Sequence, residues 1–273
     1  MSTSGEEQRM SGPLVVIPTY DERENLPGIV ARVRDVLPEA SILVVDDDSP
    51  DGTGEVADAL ARVDPAVQVL HRQGKEGLGA AYLAAFDWAL ERGHDPIVQL
   101  DADGSHLPEQ LPAMLAGLQA TDAAGRRADV VIGSRWVAGG SVVNWPRRRV
   151  WLSKAGSAYS RWMLGLPVQD ATAGYRAFRA DALRALHLEQ VHTRGYGFQV
   201  DLLWHAVLNG LAVVEVPVTF VEREQGRSKM SFGIVLEAMM RVTAWGLARR
   251  LGIGRRGSAR GDQARTRSTH SSR

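Results

Sequence analysis

The 273-residue chain contains no cysteine, which excludes disulfide bonds, thiolate metal sites and cysteine nucleophiles. It carries no excess charge either, because 32 lysines and arginines balance 32 aspartates and glutamates, so nothing in the composition points to a nucleic acid partner. No run of about 18 uninterrupted apolar residues occurs, and no membrane-spanning helix is predicted. A Gly-x-Ser-x-Gly element is absent, which argues against a hydrolase nucleophile. The absence of cysteine fits a reduced, cytoplasmic location.

The first half of the chain alternates short β-branched runs with helical patterns, which is typical of an α/β protein. Each run is apolar throughout, as in strands that are buried on both faces of a mainly parallel sheet. We therefore predict a Rossmann-like sheet flanked by helices. The predicted strands are 14–18, 42–46, 67–71, 97–101 and 130–134, and the predicted helices are 23–36, 54–63, 78–92 and 108–119.

The second half is less regular. A linker with three arginines, Arg147 to Arg149, precedes a predicted helix at 151–163, and a further helix is predicted at 198–208. The run 213–223 indicates one strand, in which Pro217 requires an edge or a bulge. An amphipathic helix is predicted at 231–252. It suits either a membrane surface or ordinary docking onto the sheet, and the apolar residues that define it are Phe232, Val235, Met239, Val242 and Leu247.

Acidic residues follow the predicted strands, at the edge where parallel sheets bind ligands. Asp101 and Asp103 come directly after the fourth strand. Two carboxylates at this spacing can reach one cation once the chain turns, and hard oxygen ligands suit Mg²⁺ or Mn²⁺. The alternative is a solvated acidic turn that caps the next helix.

A second acidic segment follows the second strand and nearly matches the spacing of a calcium-binding EF-hand loop. A strand rather than a helix precedes it, and Pro50 would stiffen the loop, so we favour a rim loop that binds the hydroxyls or base of a nucleoside. A turn held only by Asx hydrogen bonds is the alternative. The residues on the calcium spacing are Asp47, Ser49, Asp51, Gly52 and Asp58.

Basic residues gather in the second half, where they can oppose the acidic rim and hold a second phosphate. Solvated loops carry such charges as well, which is the alternative for any single one of them. The residues concerned are Arg135, Arg147, Arg148, Arg149, Arg223, Arg227 and Lys229.

Several segments together resemble family 2 glycosyltransferases of the GT-A fold: PTYDEREN (18–25), VVDDDSPDGT (44–53), DAD (101–103) and GSR (133–135). The later segments NWP (144–146), SKAG (153–156) and RSKM (227–230) are similar to those of polyprenol (dolichol) monophosphomannose synthases. The match runs in unbroken order over residues 13–245. It implies an inverting enzyme that moves mannose from GDP-mannose to a polyprenyl phosphate, giving polyprenyl phosphate mannose and GDP.

The resemblance also implies roles for individual residues. Asp101 and Asp103 would hold Mg²⁺ or Mn²⁺ on the diphosphate and, with Arg135, would be catalytic. Some relatives have a glutamine two residues after the second aspartate as a further ligand; Ser105 stands there in this chain, so water or Ser105 itself would complete the set. The acceptor phosphate would meet Arg135, Arg149 and Ser153. The donor would contact Pro18, Tyr20, Glu22, Val44, Asp46, Asp101, Ala102, Asp103, Arg135, Arg223 and Lys229.

We expect a disordered leader at 1–12, one GT-A domain at 13–253 and a disordered basic tail at 254–273. Within the domain, 13–135 would form the nucleotide-sugar half and 136–253 an irregular acceptor half. The enzyme would be peripheral on the cytoplasmic face of a membrane, attached by its last helix or by an integral membrane partner protein. Rival hypotheses are a UDP-glucose-dependent polyprenyl phosphate glucosyltransferase, a non-catalytic nucleotide-sugar binding module and a nucleotidyltransferase.

Overall fold

A central sheet organises the chain. The computed structural model describes residues 12–191, 197–223 and 232–251, so Arg227, Lys229, the predicted tail and most of the predicted leader lie outside the described residues. The strands are β1 (Leu14–Thr19), β2 (Ser41–Asp46), β3 (Val67–His71), β4 (Ile97–Gln99), β5 (Val130–Ser134), β6 (Ser141–Val143), β7 (Arg176–Phe178), β8 (Val213–Pro217) and β9 (Thr219–Val221).

Seven strands form the main sheet in the order β3-β2-β1-β4-β7-β5-β8, and β6 pairs with β9 in a small separate sheet. Every pairing is parallel except those of β7, which runs antiparallel to both β4 and β5. The carboxyl ends of the parallel strands therefore share one rim, and β7 begins at that rim instead of ending there.

Helices cover both faces of the sheet. They are α1 (Leu26–Val36), α2 (Thr53–Val63), α3 (Leu78–Glu91), α4 (Leu111–Gly117), α5 (Arg147–Leu164), α6 (Ala180–Ala185), α7 (Gly197–Leu208) and α8 (Phe232–Arg250), with 3-10 turns at Pro108–Gln110 and Leu188–Gln190. The predicted α/β class and the strand and helix order of the first half are confirmed.

The side chains of each inner strand alternate between two hydrophobic cores, because successive residues of a strand face opposite sides. In β1, Leu14 and Val16 pack with α3, α5 and α7, whereas Val15 and Ile17 pack with α1, α2 and α4. All four are fully buried, and burying an aliphatic side chain of this size stabilises the fold by about 1.5–3 kcal/mol. Strand β3 departs from the prediction: it is an edge strand and only Val67 in it is fully buried.

The second half corrects two predictions. Residues 147–149 are not a linker but the first turn of α5, which Pro146 precedes as the N-cap. Basic residues are unfavourable at a helix N-terminus, so nothing in the charge pattern marks residues 147–149 as a first helical turn. The run 213–223 is not one strand either. Strand β8 ends at Pro217, which lacks an N–H for a further ladder bond, and β9 then joins the other sheet. The prediction that Pro217 lies at an edge is confirmed, since β8 is an edge strand.

Helix α8 packs against α5 and α7, so its apolar residues do not all face outward. Val242 is buried in the core, and the Thr243 hydroxyl lies 2.6 Å from the hydroxyl of Tyr159 on α5. Met239 and Leu247 are exposed. The side chains of Phe232 and Val235 lie outside what the structure describes. Among the described helices, none combines the length and the apolarity that crossing a membrane requires.

Candidate active site

The loop after β4 holds Asp101 and Asp103 at the rim. The Tyr82 hydroxyl, on α3, donates to Asp101 Oδ1 at 3.1 Å, and the backbone N–H of Ser105 donates to Asp103 Oδ1 at 3.0 Å. Burial raises the pKa of the Tyr82 hydroxyl far above its ordinary value, so this group remains a proton donor. The expected pair of carboxylates is thus held in a defined arrangement by α3 and by the turn itself.

His106 fixes the backbone of the same loop. Its Nδ1 accepts a hydrogen bond from the Asp101 N–H at 3.0 Å, so this nitrogen is occupied and does not serve as a metal ligand. The imidazole stacks on Tyr175 with 4.9 Å between ring centroids, and Phe220 of β9 meets it edge-on at 5.4 Å. The aromatic contacts hold the ring, and the ring holds the amide of the first aspartate.

The chemistry of this loop fits a hard divalent cation. The Asp101 side chain is 30% exposed, and burial together with the neighbouring Asp103 raises its pKa, an effect that a bound cation would reverse. Ser105 Oγ is buried and has no hydrogen-bond partner within the described part of the chain. Two carboxylates and a free hydroxyl are oxygen ligands of the kind that Mg²⁺ and Mn²⁺ prefer. Across the described ranges, no group of three His, Cys, Asp or Glu side chains forms a metal site.

The rim beyond β1 and β2 has a buried carboxylate at its centre. Asp46 Oδ1 accepts hydrogen bonds from the hydroxyls of Thr19 at 3.1 Å and Ser49 at 2.6 Å, and Oδ2 accepts from the Ser49 N–H at 3.2 Å. A Cβ at Gly54 would lie 3.1 Å from Asp46 Oδ2, so α2 approaches closely here only because residue 54 has no side chain. Asp46 therefore shapes the loop expected to receive the nucleoside.

The rest of the 46–52 segment forms ordinary turn and ion-pair contacts. Asp47 is paired with Arg72, with 2.5 Å between Asp47 Oδ1 and Arg72 Nη1. Asp51 Oδ1 accepts from the N–H and the hydroxyl of Thr53 at 3.0 and 2.6 Å. Partial burial alone would raise the pKa of Asp51, but the hydrogen bonds from Thr53 and from the Arg23 N–H lower it below the ordinary value. Because a strand precedes the segment and Asx bonds hold it, the EF-hand alternative is wrong.

The other residues expected around the nucleoside differ in how far their side chains are exposed. Pro18 is half-buried at the end of β1, and the ammonium of Lys75 lies 3.5 Å above the ring centre of Tyr20. Glu22 accepts a hydrogen bond from the Asn25 amide at 2.7 Å. Val44 is fully buried in the core beneath the sheet, so its side chain has no exposed surface to offer a ligand. Ala102 is also buried.

Arg135, just past β5, is 7% exposed and forms a two-pronged ion pair with the fully buried Asp170. Arg135 Nε and Nη2 each lie 2.7 Å from one of the two carboxylate oxygens of Asp170, and Nη2 also donates to the Thr172 hydroxyl at 3.0 Å. The backbone N–H of Arg135 donates to Asp170 as well, at 3.1 Å. The guanidinium thus anchors the loop before β7, a role that was not expected beside the catalytic, donor-binding and acceptor-phosphate roles implied for Arg135 by the resemblance.

Arg149 and Ser153 lie one turn apart on α5, so both point from the same side of that helix. The guanidinium of Arg149 stacks 4.0 Å above the Trp145 ring and is paired with Glu222. The next residue, Arg223, lies 3.3 Å from Asp103 Oδ2 through Nη2. Residues 222 and 223 therefore connect the carboxylate loop to the basic side of α5.

Sequence reasoning missed five side chains that position these groups. Asp170 and Glu222 are single acidic residues in irregular segments, and nothing local shows that arginines distant in sequence will face them. Tyr82 lies within an apolar helical pattern, where it is indistinguishable from a core residue. A signal existed only for Trp145, which lies within the quoted segment NWP (144–146) but was given no role, and for His106, which follows the aspartate pair closely.

A mainly parallel sheet with one reversed strand, acidic side chains at its rim and basic side chains opposite them is the arrangement expected of a GT-A-type glycosyltransferase. The solved glucosyl-3-phosphoglycerate synthase of Mycobacterium tuberculosis, in complex with Mn²⁺, UDP and glucosyl-3-phosphoglycerate, shares this fold with a TM-score of 0.60. The likeness covers 90% of this chain and 82% of that one at 21% identity.

The model of glycosyl transferase family 2 matches residues 14–186, and the chain belongs to this family. An undecaprenyl-phosphate mannosyltransferase of Micrococcus luteus is 58% identical over 237 residues, which cover 87% of this chain and 95% of the relative. A polyprenol monophosphomannose synthase of Mycolicibacterium smegmatis is 53% identical over 263 residues, covering 92% of this chain and 97% of the relative. The expected resemblance to polyprenol monophosphomannose synthases is confirmed.

Proposed function

We infer that the chain transfers mannose to a polyprenyl phosphate. The observation that carries this conclusion is the identity of 58% and 53% to two such enzymes, each of which the chain matches over nearly its whole length. The paired carboxylates of Asp101 and Asp103 facing Arg223, with Arg149 beyond it, agree with a site for two phosphate-bearing substrates. GDP-mannose is the donor that the family resemblance favours.

The reaction needs little acid–base chemistry. The second pKa of a phosphate monoester is about 6, so the acceptor is mostly a dianion near neutral pH and attacks without a strong general base. One acceptor oxygen forms the bond to the sugar C1 while the bond from C1 to the diphosphate oxygen breaks, and GDP departs with that electron pair. A single displacement inverts the configuration at C1.

The residues supply charge and orientation. A divalent cation held by Asp101 and Asp103, with Ser105 Oγ as a further ligand, would neutralise the charge that develops on the departing diphosphate. Arg149 and Ser153 bind the acceptor phosphate and keep it aligned. Arg149 either leaves its ion pair with Glu222 or contacts Glu222 and the phosphate together. Arg135 acts mainly by holding Asp170 and the loop before β7, and its guanidinium faces the aromatic rings of Trp145 and Phe220 at 5.4 and 5.5 Å.

The acceptor is a lipid, so the enzyme works as a peripheral protein on the cytoplasmic face of a membrane. Exposed apolar side chains on α5 support this placement: Trp151 is 76% exposed, Trp162 is 64% exposed, and their spacing of eleven positions brings both to one side of the helix. Met240, Leu247 and Leu251 add exposed apolar surface on and beside α8. An integral membrane partner protein is the alternative means of attachment.

The proposal is tested by incubating the protein with labelled GDP-mannose and a polyprenyl phosphate, with and without EDTA, and counting label extracted into organic solvent. We expect EDTA-sensitive mannolipid, and Asp101→Ala should lose it while still binding GDP. Asp87→Ala, on the exposed side of α3, is the matched control and should keep full activity. Label transfer from UDP-glucose alone, release of pyrophosphate, or GDP-mannose binding without turnover would each support one of the rival hypotheses.

A further inference from the structure

Gln199, the third residue of α7, has a buried side-chain amide with no role in the site described above. Its side chain is 7% exposed, and neither Oε1 nor Nε2 has a hydrogen-bond partner within the part of the chain that the structure describes. Buried amides are normally paired, because taking an unpaired donor or acceptor out of water is unfavourable. An unpaired amide at a rim is therefore suited to a partner that arrives with the substrate.

The amide borders the same space as the first aspartate of the carboxylate pair. A Cβ added to Gly174 would lie 3.8 Å from Gln199 Nε2, 3.8 Å from Asp101 Oδ2 and 3.4 Å from His106 Cε1. Gly174 has no such atom, so the space between these groups remains open. A Cβ at position 174 would sit at ordinary contact distances from all three groups, whereas a larger side chain would come between Gln199 and Asp101.

The loop that carries Gly174 is held at both ends. Arg176, the first residue of β7, is fully buried, and it donates from Nε to the Ala173 carbonyl at 2.9 Å and from Nη2 to the Ala171 carbonyl at 3.2 Å. Arg135 holds Asp170 at the other end of the same loop. Gly174 therefore has a fixed position relative to the carboxylates.

The order of strands indicates which part of the donor lies here. The expected nucleoside loop follows β2, the carboxylate loop follows β4, and the loop carrying Gly174 enters β7, the next strand beyond β4. A donor whose base lies over β2 and whose diphosphate lies at Asp101 extends its sugar toward β7. Arg135 follows β5, one strand further along, on the acceptor side.

We propose that Gln199 recognises hydroxyl groups of the transferred hexose, and that Gly174 leaves the room the sugar ring needs; this rests on the proposed mannosyl transfer. An amide offers one acceptor and two donor hydrogens, which matches hydroxyls that both donate and accept. It is neutral, so it adds no charge beside the diphosphate. Gln199 is thus a specificity-determining residue for the donor sugar.

The test compares Gln199→Leu with Gln99→Leu. Gln99, on β4, is the matched control because it is also a buried glutamine whose amide has no partner among the described residues. Each protein is assayed with GDP-mannose, with GDP-glucose and with a series of GDP-deoxymannoses that lack one hydroxyl each, using one polyprenyl phosphate acceptor. Binding of GDP alone and the melting temperature are measured in parallel.

For Gln199→Leu we expect kcat/KM with GDP-mannose to fall about 10- to 100-fold, with GDP binding and melting temperature close to those of the unsubstituted protein. For the unsubstituted protein, kcat/KM should fall when the donor lacks one or two particular hydroxyls. For Gln199→Leu, removing the same hydroxyls from the donor should cause no further fall in kcat/KM. Gln99→Leu should keep the original pattern across the donors.

The proposal is overturned if Gln199→Leu keeps its kcat/KM, or if it loses activity equally with every donor so that the hydroxyl penalties persist. Equal losses in both leucine variants would also overturn it, because the effect would then come from the fold. If the unsubstituted protein makes no mannolipid at all, the proposed function itself fails, which is a separate and recognisable outcome.

Discussion

The ion pair between Arg135 and Asp170 allows structural and functional roles to be separated. Both side chains are almost wholly inside the protein, and two direct contacts of 2.7 Å join them. Removing one partner of such a pair leaves an uncompensated buried charge, which lowers the free energy of unfolding by about 3–5 kcal/mol. Asp170→Leu also removes the acceptor of the Arg135 backbone N–H, which adds about 1–3 kcal/mol.

The double variant Arg135→Met/Asp170→Leu should be more stable than Asp170→Leu alone. Replacing both charges by apolar groups of similar size removes the charge penalty but leaves the backbone N–H unpaired, at about 1–3 kcal/mol, and takes the Asp170 acceptor from the hydroxyls of Ser157 and Thr172. At about 2–4 °C for each kcal/mol in a domain of this size, Asp170→Leu should melt about 8–30 °C below the unsubstituted protein. The double variant should recover most of that loss.

Urea unfolding followed by tryptophan fluorescence measures the free energies, and the mannolipid assay measures function. We expect the double variant to regain stability without regaining full activity, and its KM for the polyprenyl phosphate should be raised. Equal destabilisation in the single and double variants would refute the reasoning, since it would mean that the two charges do not interact. Full activity in the double variant would show that Arg135 has no part in the site.

Three further predictions follow from individual contacts. His106→Phe keeps the stacking but leaves the Asp101 N–H without its acceptor, so we expect about 1–3 kcal/mol less stability in urea and a lower kcat at unchanged affinity for GDP. The lowered pKa of Asp51 contributes stability above its unfolded pKa of 3.8 that is lost as pH falls below that value, so the urea midpoint of Asp51→Asn should fall less steeply in acid; parallel pH profiles would contradict this. Replacing Trp151 and Trp162 by serine should reduce sedimentation with anionic vesicles while leaving turnover of a short, water-soluble acceptor intact, and unchanged sedimentation would count against α5 as the attachment surface.

The first half of the fold was predictable because its signals are local. Each inner strand is a short β-branched run, and the glycines and acidic residues that follow it mark the rim. The second half depends on contacts between segments far apart in sequence. The reversal of β7 cannot be read from three residues, and the division of 213–223 into two strands depends on where β6 lies.

The candidate site shows the same division. The pair Asp101 and Asp103 could be predicted because two carboxylates after a buried strand form a short, recognisable pattern. The partners of Arg135 and Arg149 could not, because each pairs with an acidic residue 35 or 73 positions away. Individual roles in donor and acceptor binding stay predictions, and Lys229 lies outside the described residues.

In the described main sheet, β7 alone runs against its neighbours, and this divides the rim. At the rim, all the remaining strands of the main sheet end, and each is followed by a loop that leaves the sheet. Strand β7 begins at the rim instead, so the loop there is the one that precedes it. That incoming segment is held at one end by Arg135 through Asp170 and at the other by Arg176, so it forms a boundary between the loop after β4 and the loop after β5. If the proposed function is correct, substitutions in the loop after β5 should alter acceptor use while leaving the carboxylate pair in place.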